Sequence, residues 1–234
     1  MNIIFDIGNT NISYFCSGKY STVNTSLFVS HENITKFFVE NNVKTVVFAS
    51  VVPVVSNVLV ESAKELKIKY REITIDDVPI QINIKNKNQL GIDRAINACV
   101  ALKKFVNNVI VVDFGTALTF DIVYNSTYEG GMIFPGLVMA MHNLHTKTAK
   151  LPDVKITEYI TGIGKNTVEA ISFGACIGYQ GVLKEILLFI KNFYNTEFRV
   201  IFTGGSGKLF YKLIKNAIFE ENLILDFLQS CKID

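Results

Sequence analysis

The feature that most constrains the fold of this 234-residue chain is a short pattern that occurs twice, nearly half a chain length apart. Phe5 to Thr10, with the sequence FDIGNT, aligns with Val112 to Ala117, with the sequence VDFGTA. A run of β-branched and aromatic residues precedes each Asp and predicts a buried strand, and the glycine two residues later predicts a tight turn. We interpret the repeat as an internal duplication.

Apolar spacing elsewhere predicts helices that alternate with strands. Ile92, Ile96, Cys99 and Leu102 lie on one face of a helix that runs from about Gly91 to Phe105. Further helices are predicted for residues 33–40, 54–66, 137–149 and 166–193 and near 208, and further strands for residues 45–50 and 199–205. The sequence therefore predicts an α/β fold with an N-terminal half at residues 1–111 and a C-terminal half at residues 112–234.

Composition narrows the classes of function. Hydrophobic residues make up 49% of the chain and charged residues 19%, with a formal net charge of +2. The chain is therefore not a disordered protein, and its basic residues form no stripe that would bind nucleic acid. The most apolar stretch, residues 45–60, contains Ser50, Pro53, Ser56 and Asn57, which argues against a membrane span. No secretory signal is evident, so we expect a cytoplasmic protein without nucleic-acid or membrane partners.

Cysteine and histidine residues do not have the spacing of a metal site. No Cys-x-x-Cys pair occurs, and His142 and His145, one helical turn apart, lack a third ligand at a recognisable spacing. We expect small buried apolar side chains rather than metal ligands for the four cysteines, Cys16, Cys99, Cys176 and Cys231.

The turn after the first strand carries groups that bind phosphate with the help of a cation. Gly8 lets the backbone turn with a positive φ and present its N–H groups to an anion, and Asn9, Thr10 and Asn11 add side-chain donors. Asp6 repels a bare phosphate, so its expected role is to hold a hydrated Mg²⁺ between itself and the phosphates.

A single Asp-x-Gly turn is more often local structure, in which the Asp caps backbone groups. A second copy of the turn, with Asp113, Gly115 and Thr116, favours phosphate binding over a purely local role. Two such turns in duplicated halves can hold one polyphosphate from two sides. A G-x-x-x-x-G-K-[ST] pattern does not occur, which disfavours a Walker-type nucleotide site.

Two further segments carry candidate functional residues. Asp93, in the first turn of a predicted helix, could accept a proton from a substrate hydroxyl, and Arg94 could neutralise a carboxylate. The alternative is an Asp favoured by the helix dipole, with Arg94 on the solvated face. FTGG at residues 202–205 either lets backbone approach a flat or anionic ligand or turns the chain for steric reasons alone.

The motifs in order resemble one enzyme family over nearly the whole chain. They are DIGNTN at 6–11, GIDR at 91–94, VDFGTALTFD at 112–121, GGMIFPG at 130–136, TAKLP at 148–152, GKNTVEAISFG at 164–174 and FTGG at 202–205. This combination resembles the type III pantothenate kinases, of the actin-like superfamily of sugar kinases and heat-shock ATPases. The resemblance implies a duplicated actin-like (ribonuclease H-like) two-domain kinase fold with ATP in the cleft. It also implies transfer of the γ-phosphoryl group to pantothenate, the first step of coenzyme A biosynthesis, with 4′-phosphopantothenate as the product.

The resemblance further implies roles for individual residues. Asp93 matches the proton acceptor, Asp113 matches the ligand of a monovalent cation, K⁺ or NH₄⁺, and Asp6 is expected near Mg²⁺. Contacts to pantothenate are expected from Gly91, Ile92, Asp93, Arg94 and Thr167. Contacts to ATP are expected from Asp6, Ile7, Gly8, Asn9, Thr10, Asn11, Ile12, Ser13, Thr116, Gly204 and Gly205.

The same resemblance implies a homodimer, because members of the family are generally homodimers whose pantothenate pocket borders the interface. The chain departs from the family pattern at two places. Ser13 stands where many relatives carry Lys, and Ile84 and Lys87 stand where relatives often carry Tyr and Pro. Ile84 offers no phenolic hydrogen bond, so this departure affects the affinity for the acceptor and its exact identity more than the class of reaction.

Two other functions are compatible with the same scaffold. A nucleotide-dependent regulatory protein would bind ATP without using the acceptor site and would not require Asp93 and Arg94. An actin-like polymer subunit would need additional surface elements for longitudinal contacts, for which 234 residues leave little room.

Overall fold

The structure, a computed structural model, describes residues 1–231 and consists of two packing units. The first unit comprises Met1–Val100 together with the chain from Asn222 onward, and the second comprises Ala101–Glu221. These units differ from the predicted halves, 1–111 and 112–234, because the last helix packs on the first strand of the chain. The division of functional roles between the sequence halves stays a prediction.

The first unit is built on a five-stranded sheet. Its elements are β1 (Asn2–Ile7), β2 (Asn11–Cys16), β3 (Lys19–Asn24), α1 (His31–Glu40), β4 (Thr45–Ser50), α2 (Pro53–Glu65), β5 (Lys69–Glu72), β6 (Gln81–Ile82) and the start of α3 (Ile92–Lys104). The strand order is β3-β2-β1-β4-β5, with β1 antiparallel to β2 and parallel to β4. The predicted strand at 45–50 is confirmed, and α2 begins at Pro53, which suits a first helical position.

The central strands β1 and β4 are apolar on both faces, as expected for strands covered by helices. Phe5 is fully buried, and its ring lies 5.8 Å from the ring of Phe28 and 6.4 Å from that of Phe38. Leu59 of α2 belongs to the same core. This packing fixes the end of β1, where the first Asp-x-Gly turn begins.

The second unit repeats the topology of the first. Its elements are the end of α3, β7 (Val109–Phe114), β8 (Ala117–Tyr124), β9 (Thr127–Pro135), α4 (Leu137–Thr146), α5 (Thr167–Tyr194), β10 (Arg199–Thr203), α6 (Gly207–Phe210) and β11 (Ile218–Phe219). Strands of this unit lie in the order β9-β8-β7-β10-β11, which matches β3-β2-β1-β4-β5 strand for strand. The predicted duplicated α/β fold is therefore confirmed.

The long helix α5 has a core face and also carries several exposed apolar side chains. Ala175, Tyr179, Leu183 and Ile190 pack into the core of the second unit. Ile177, Leu188, Phe189 and Phe193 are exposed at other positions along the helix, and Phe193 is 71% exposed. By length and composition alone α5 is apolar enough to cross a membrane, a property that core helices of soluble proteins also have.

The helices of the structure differ from the predicted helices in several places. α4 ends at Thr146 rather than at Ala149, and α6 is only four residues long before a short 3-10 helix replaces it. The sequence reasoning missed α7 (Leu223–Ser230), which packs on β1. The hydroxyl of Tyr20 donates to Asp226 and accepts from Gln229, which attaches α7 to β3 of the same unit.

Candidate active site

The first Asp-x-Gly turn joins β1 to β2 and is closed by its own backbone. The N–H of Gly8 donates to the carbonyl of Asn11 at 3.0 Å, and a Cβ on Gly8 would lie only 2.9 Å from that oxygen. The predicted positive φ at Gly8 is wrong, and the close approach of the Asn11 carbonyl is what favours glycine at this position. Asn9, Thr10 and Asn11 are exposed, whereas Asp6 and Gly8 are half-buried. The turn thus presents polar groups to solvent beside a more sheltered carboxylate.

Thr25 supports this turn from the other side. It is the first residue of a short 3-10 helix, Thr25–Phe28, and is 5% exposed. Its Oγ1 donates to the carbonyl of Gly8 at 2.7 Å, and its N–H donates to the carbonyl of Thr10 at 3.0 Å. Sequence reasoning gave Thr25 no role, because one hydroxyl residue after a strand forms no recognisable pattern.

Asp93 lies in the first turn of α3, as predicted. Burial raises the pKa of Asp93 above its ordinary value of 3.8, while the backbone N–H of Arg94 and the Arg94 charge act in the opposite direction. That N–H donates to Oδ1 of Asp93 at 2.8 Å. Asp93 is therefore a sheltered and more basic carboxylate than an ordinary surface aspartate.

Gly91 makes room for the Asp93 carboxylate. A Cβ on Gly91 would overlap Oδ1 of Asp93 and would lie 3.8 Å from Cγ1 of Val51. The N–H of Val51 in turn donates to the carbonyl of Ile7, at the end of β1, at 3.0 Å. The structure thus brings the GIDR segment and the first Asp-x-Gly turn to the same edge of the sheet in the first unit.

Because Asp93 is the predicted proton acceptor, Gly91→Ala is expected to lower turnover by about tenfold or more. A displacement of about 1 Å at a reacting group costs up to about 100-fold. The added methyl overlaps only the end of a side chain, so Asp93 should move and the fold should persist. Steady-state kinetics and thermal unfolding of the same preparation check this. Wild-type turnover in a folded variant would show that the position of the Asp93 carboxylate does not matter.

In the second unit, Asp113 lies beside Gly204. Asp113 is the penultimate residue of β7 and pairs with Thr203 of β10. Gly204 follows Thr203 with φ +80°, and a Cβ there would overlap Oδ1 of Asp113 and lie 2.6 Å from the carbonyl carbon of Phe114. FTGG therefore turns tightly against the predicted cation ligand, and the structure brings these two predicted segments together. Gly205, by contrast, is exposed, with open space around it.

The second Asp-x-Gly turn joins β7 to β8, and Thr116 at its tip is exposed. Gly136 lies directly against this turn. A Cβ on Gly136 would overlap the carbonyl oxygen of Thr116 and lie 2.5 Å from that of Gly115. Gly136 is the final glycine of the GGMIFPG motif, and sequence reasoning assigned it no role. A glycine that ends a motif in this way is the sequence feature that could have indicated a close backbone approach.

Thr167 lies in another part of the second unit, as the first residue of α5. Asn166 caps the helix by accepting the N–H of Glu169 at 2.9 Å, and the Glu169 carboxylate accepts the N–H of Lys165 at 2.8 Å. An open cleft of about 810 Å³ lies along this helix end. Its lining includes Met141, Leu144, Leu151, Gly164, Lys165 and Thr167. Its volume is within the range of small-molecule sites.

The carboxylates of Asp6 and Asp113 are of the type that holds hard cations. Within residues 1–231, no group of three or more His, Cys, Asp or Glu residues could hold a metal ion. Mg²⁺ in nucleotide sites is typically bound by one or two carboxylates, with waters and substrate phosphates completing its coordination. One carboxylate beside each turn is compatible with that chemistry.

The departures from the family pattern have clear positions in the fold. Ser13 lies on β2 directly opposite Asp6, with its Oγ 3.5 Å from Oγ1 of Thr22. Ile84 is half-buried, and Lys87 is exposed at the start of a 3-10 helix. A longer basic side chain at position 13 would extend from the strand beside Asp6, and this chain has a short hydroxyl there.

Sequence comparison identifies close relatives. The family model for type III pantothenate kinases matches residues 2–188. A type III pantothenate kinase of Sulfurihydrogenibium sp. (strain YO3AOP1) is 35% identical over 206 residues, covering 86% of this chain and 80% of the relative. A type III pantothenate kinase of Persephonella marina is 38% identical over 192 residues, covering 80% of this chain and 75% of the relative.

Solved structures with the same fold extend the comparison. A Campylobacter jejuni protein, provisionally assigned as a conserved Baf family transcriptional activator, superimposes with a TM-score of 0.60 at 25% identity, covering 97% of this chain and 95% of that one. A provisionally assigned 2-dehydro-3-deoxygalactonokinase of Sinorhizobium meliloti has a TM-score of 0.60 at 9% identity, covering 98% and 97%, and shares the fold alone. The fold is that of the actin-like ATPases and sugar kinases. By its sequence match over most of its length, the chain belongs to the type III pantothenate kinase family.

Proposed function

We propose that this protein transfers the γ-phosphoryl group of ATP to the primary hydroxyl of pantothenate, forming 4′-phosphopantothenate in the first step of coenzyme A biosynthesis. The observation that carries the proposal is the Asp93 carboxylate, sheltered in the first turn of α3 and accommodated by Gly91. Family membership supports the acceptor and the class of reaction.

Asp93 is proposed to accept the proton of the pantothenate hydroxyl. As the hydroxyl oxygen bonds to the γ-phosphorus, its O–H bond breaks, the proton moves to Asp93 and ADP leaves. Because the transition state of phosphoryl transfer is loose, Asp93 acts mainly by orienting the hydroxyl and accepts the proton late. Burial raises the pKa of Asp93 and so makes it a stronger base than an exposed aspartate.

Arg94 and Thr167 are proposed to bind pantothenate. Arg94 is half-buried next to Asp93, so its guanidinium can donate hydrogen bonds to the polar groups of pantothenate and orient the acceptor beside Asp93. Thr167 offers a hydroxyl on the cleft at the start of α5. Gly91 and Ile92 complete the proposed acceptor segment.

The two Asp-x-Gly turns are proposed to contact the phosphates of ATP, the first through residues 6–13 and the second through Thr116. Backbone N–H groups of such turns bind anions. Asp6 would hold Mg²⁺, and Asp113 would hold K⁺ or NH₄⁺; these ions supply positive charge that offsets the charge developing on the phosphates. Gly204 and Gly205 are proposed to lie near the adenosine.

We also propose a cytoplasmic homodimer, the state implied by the family resemblance. An exposed aromatic pair near the end of α5 supports a protein partner, because Phe189 and Phe193 stack with ring centroids 6.0 Å apart while both remain more than half exposed. The mass in solution tests this, since one chain has a mass of 26.2 kDa.

A regulatory role is the alternative, in which ATP is bound but no acceptor is phosphorylated. The Campylobacter jejuni structure, with its provisional name of transcriptional activator, is the neighbour that suggests it. Such a role gives no reason for a sheltered aspartate accommodated by a glycine at the start of α3.

ADP release from the purified protein with Mg-ATP distinguishes the two functions. We expect release that requires pantothenate and is faster in K⁺ than in Na⁺ buffer. Asp113→Ala should abolish the difference between the two buffers, because it removes the proposed cation ligand. ATP binding without pantothenate-dependent release would favour the regulatory role, and a K⁺ preference that survives in Asp113→Ala would place the cation elsewhere.

A further inference from the structure

Thr25 forms two hydrogen bonds to the first Asp-x-Gly turn. Its hydroxyl and its backbone N–H reach the carbonyl oxygens of Gly8 and Thr10, at 2.7 and 3.0 Å. These two carbonyls belong to the peptide units that precede Asn9 and Asn11. Both ends of the turn are therefore fixed by one nearly buried residue.

Fixing these carbonyls also fixes the direction of two N–H groups. In a planar trans peptide unit, the C=O and the N–H point in opposite directions. Because the Gly8 carbonyl points toward Thr25, the N–H of Asn9, in the same peptide unit, points away from Thr25. The Thr10 carbonyl also points toward Thr25, so the N–H of Asn11 likewise points away from it. Both N–H groups belong to exposed residues, whereas the N–H of Gly8 is already bonded within the turn.

Thr25 itself is held rigidly. The side chain of Asn24 accepts bonds from the N–H and the hydroxyl of Ser26, at 2.9 and 2.6 Å, and so fixes the start of the 3-10 helix. At the other end of that helix, Phe28 is 4% exposed and packs against Phe5 of β1. The support for the turn is thus tied to the core beneath β1.

We infer that Thr25 is a positioning residue for ATP, which acts by orienting the Gly8–Asn11 turn so that the N–H groups of Asn9 and Asn11 face the nucleotide phosphates. This inference rests on the proposed function, because it assigns the first turn to ATP. Thr25 does not contact the nucleotide in this scheme. Its effect should appear in ATP binding and leave pantothenate binding unchanged.

Thr25→Val tests the inference, because valine keeps the branched shape and the backbone N–H and removes only the hydroxyl. A net hydrogen bond of ordinary strength corresponds to roughly a tenfold change in affinity. We therefore expect the Kd and KM for ATP to rise about tenfold, with the KM for pantothenate within about twofold of wild type. Thr25→Ser, which restores the hydroxyl, should restore most of the ATP affinity.

Thr45→Val is the matched control. This variant also replaces a threonine hydroxyl with a methyl group in the first unit. Oγ1 of Thr45 donates to the side chain of Asn2 at 2.6 Å, near the start of β1 and β4. The control should keep wild-type ATP affinity. If Thr25→Val unfolds because a methyl lies against the Gly8 carbonyl, Thr25→Ala without that methyl serves in its place.

Calorimetric ATP titration and steady-state kinetics together separate the outcomes. Wild-type ATP affinity in Thr25→Val, an equal loss in Thr45→Val, or a matching rise in the KM for pantothenate would each overturn the positioning role. Wild-type protein that binds ATP but releases no ADP with pantothenate would instead contradict the proposed function, and the effect of Thr25→Val on ATP binding could still be measured.

Discussion

Asp93→Asn is expected to lower turnover with ATP and pantothenate by about 100-fold or more, the usual contribution of a positioned general base. Asparagine keeps the shape of the side chain and an oxygen that can accept the N–H of Arg94, but it cannot take up the hydroxyl proton. Because neither Asp-x-Gly turn changes, the Kd for ATP should stay within about twofold of wild type. Single-turnover kinetics and ATP titration measure the two quantities separately.

The stability of Asp93→Asn distinguishes a catalytic role from a structural one. Burial raises the pKa of Asp93 above 3.8, so the folded state binds the proton more tightly than the unfolded state. The ionised carboxylate therefore weakens the fold, and this destabilisation develops as pH rises from the unfolded pKa through the higher folded pKa. At pH 7 the neutral asparagine should melt at or above the wild-type temperature. A lower melting temperature together with lost turnover would indicate that Asp93 mainly supports the fold.

Gly204→Ala is expected to reduce the free energy of unfolding by about 2–4 kcal/mol, because it combines an unfavourable positive φ with a steric overlap. The new Cβ would overlap Oδ1 of Asp113 and would lie 2.6 and 2.7 Å from backbone atoms of Phe114, so a side-chain movement alone cannot relieve it. Displacing Asp113 should also abolish the proposed K⁺ preference and weaken ATP binding by about tenfold or more. Denaturant unfolding and ATP titration in K⁺ and Na⁺ measure these effects.

The neighbouring glycine provides the folding control for this variant. A Cβ on Gly205 meets nothing within 4 Å, and Gly205 is not among the glycines with positive φ. Gly205→Ala should therefore unfold within about 0.5 kcal/mol of wild type, as ordinary surface substitutions do. Equal stability of the two variants would contradict the steric argument at Gly204.

The sequence predicts the central strands of both sheets well because they are nearly continuous apolar runs, whereas the short strands β5, β6 and β11 were not predicted. NIIFDI, TVVFAS and VIVVDF each have one dominant interpretation, and the repeat of the Asp-x-Gly turn predicts that the topology is duplicated. α7 was missed because its eight residues, LILDFLQS, are too few and too uniformly apolar at the start for a clear helical period.

The residue types of the candidate site were predictable, and their mutual fit was not. Motifs indicated Asp93, Asp113 and Gly204 from the sequence. Gly91 makes room for the carboxylate of Asp93, and Gly204 makes room for that of Asp113. These fits depend on how the backbone of one segment lies against another, and the sequence does not give that arrangement. Thr25 could not be found at all, because its importance follows from which carbonyls lie within reach once β3 is paired with β2.

Thr25 and Gly136 occupy equivalent places in the two units, since each directly follows the third strand of its sheet and lies against the carbonyls of the adjacent turn. In the first unit that place holds a side chain that donates a hydrogen bond; in the second the backbone is so close that no side chain can be accommodated. The first turn can therefore be tuned by exchanging a single hydroxyl, whereas the second can change only if its backbone moves.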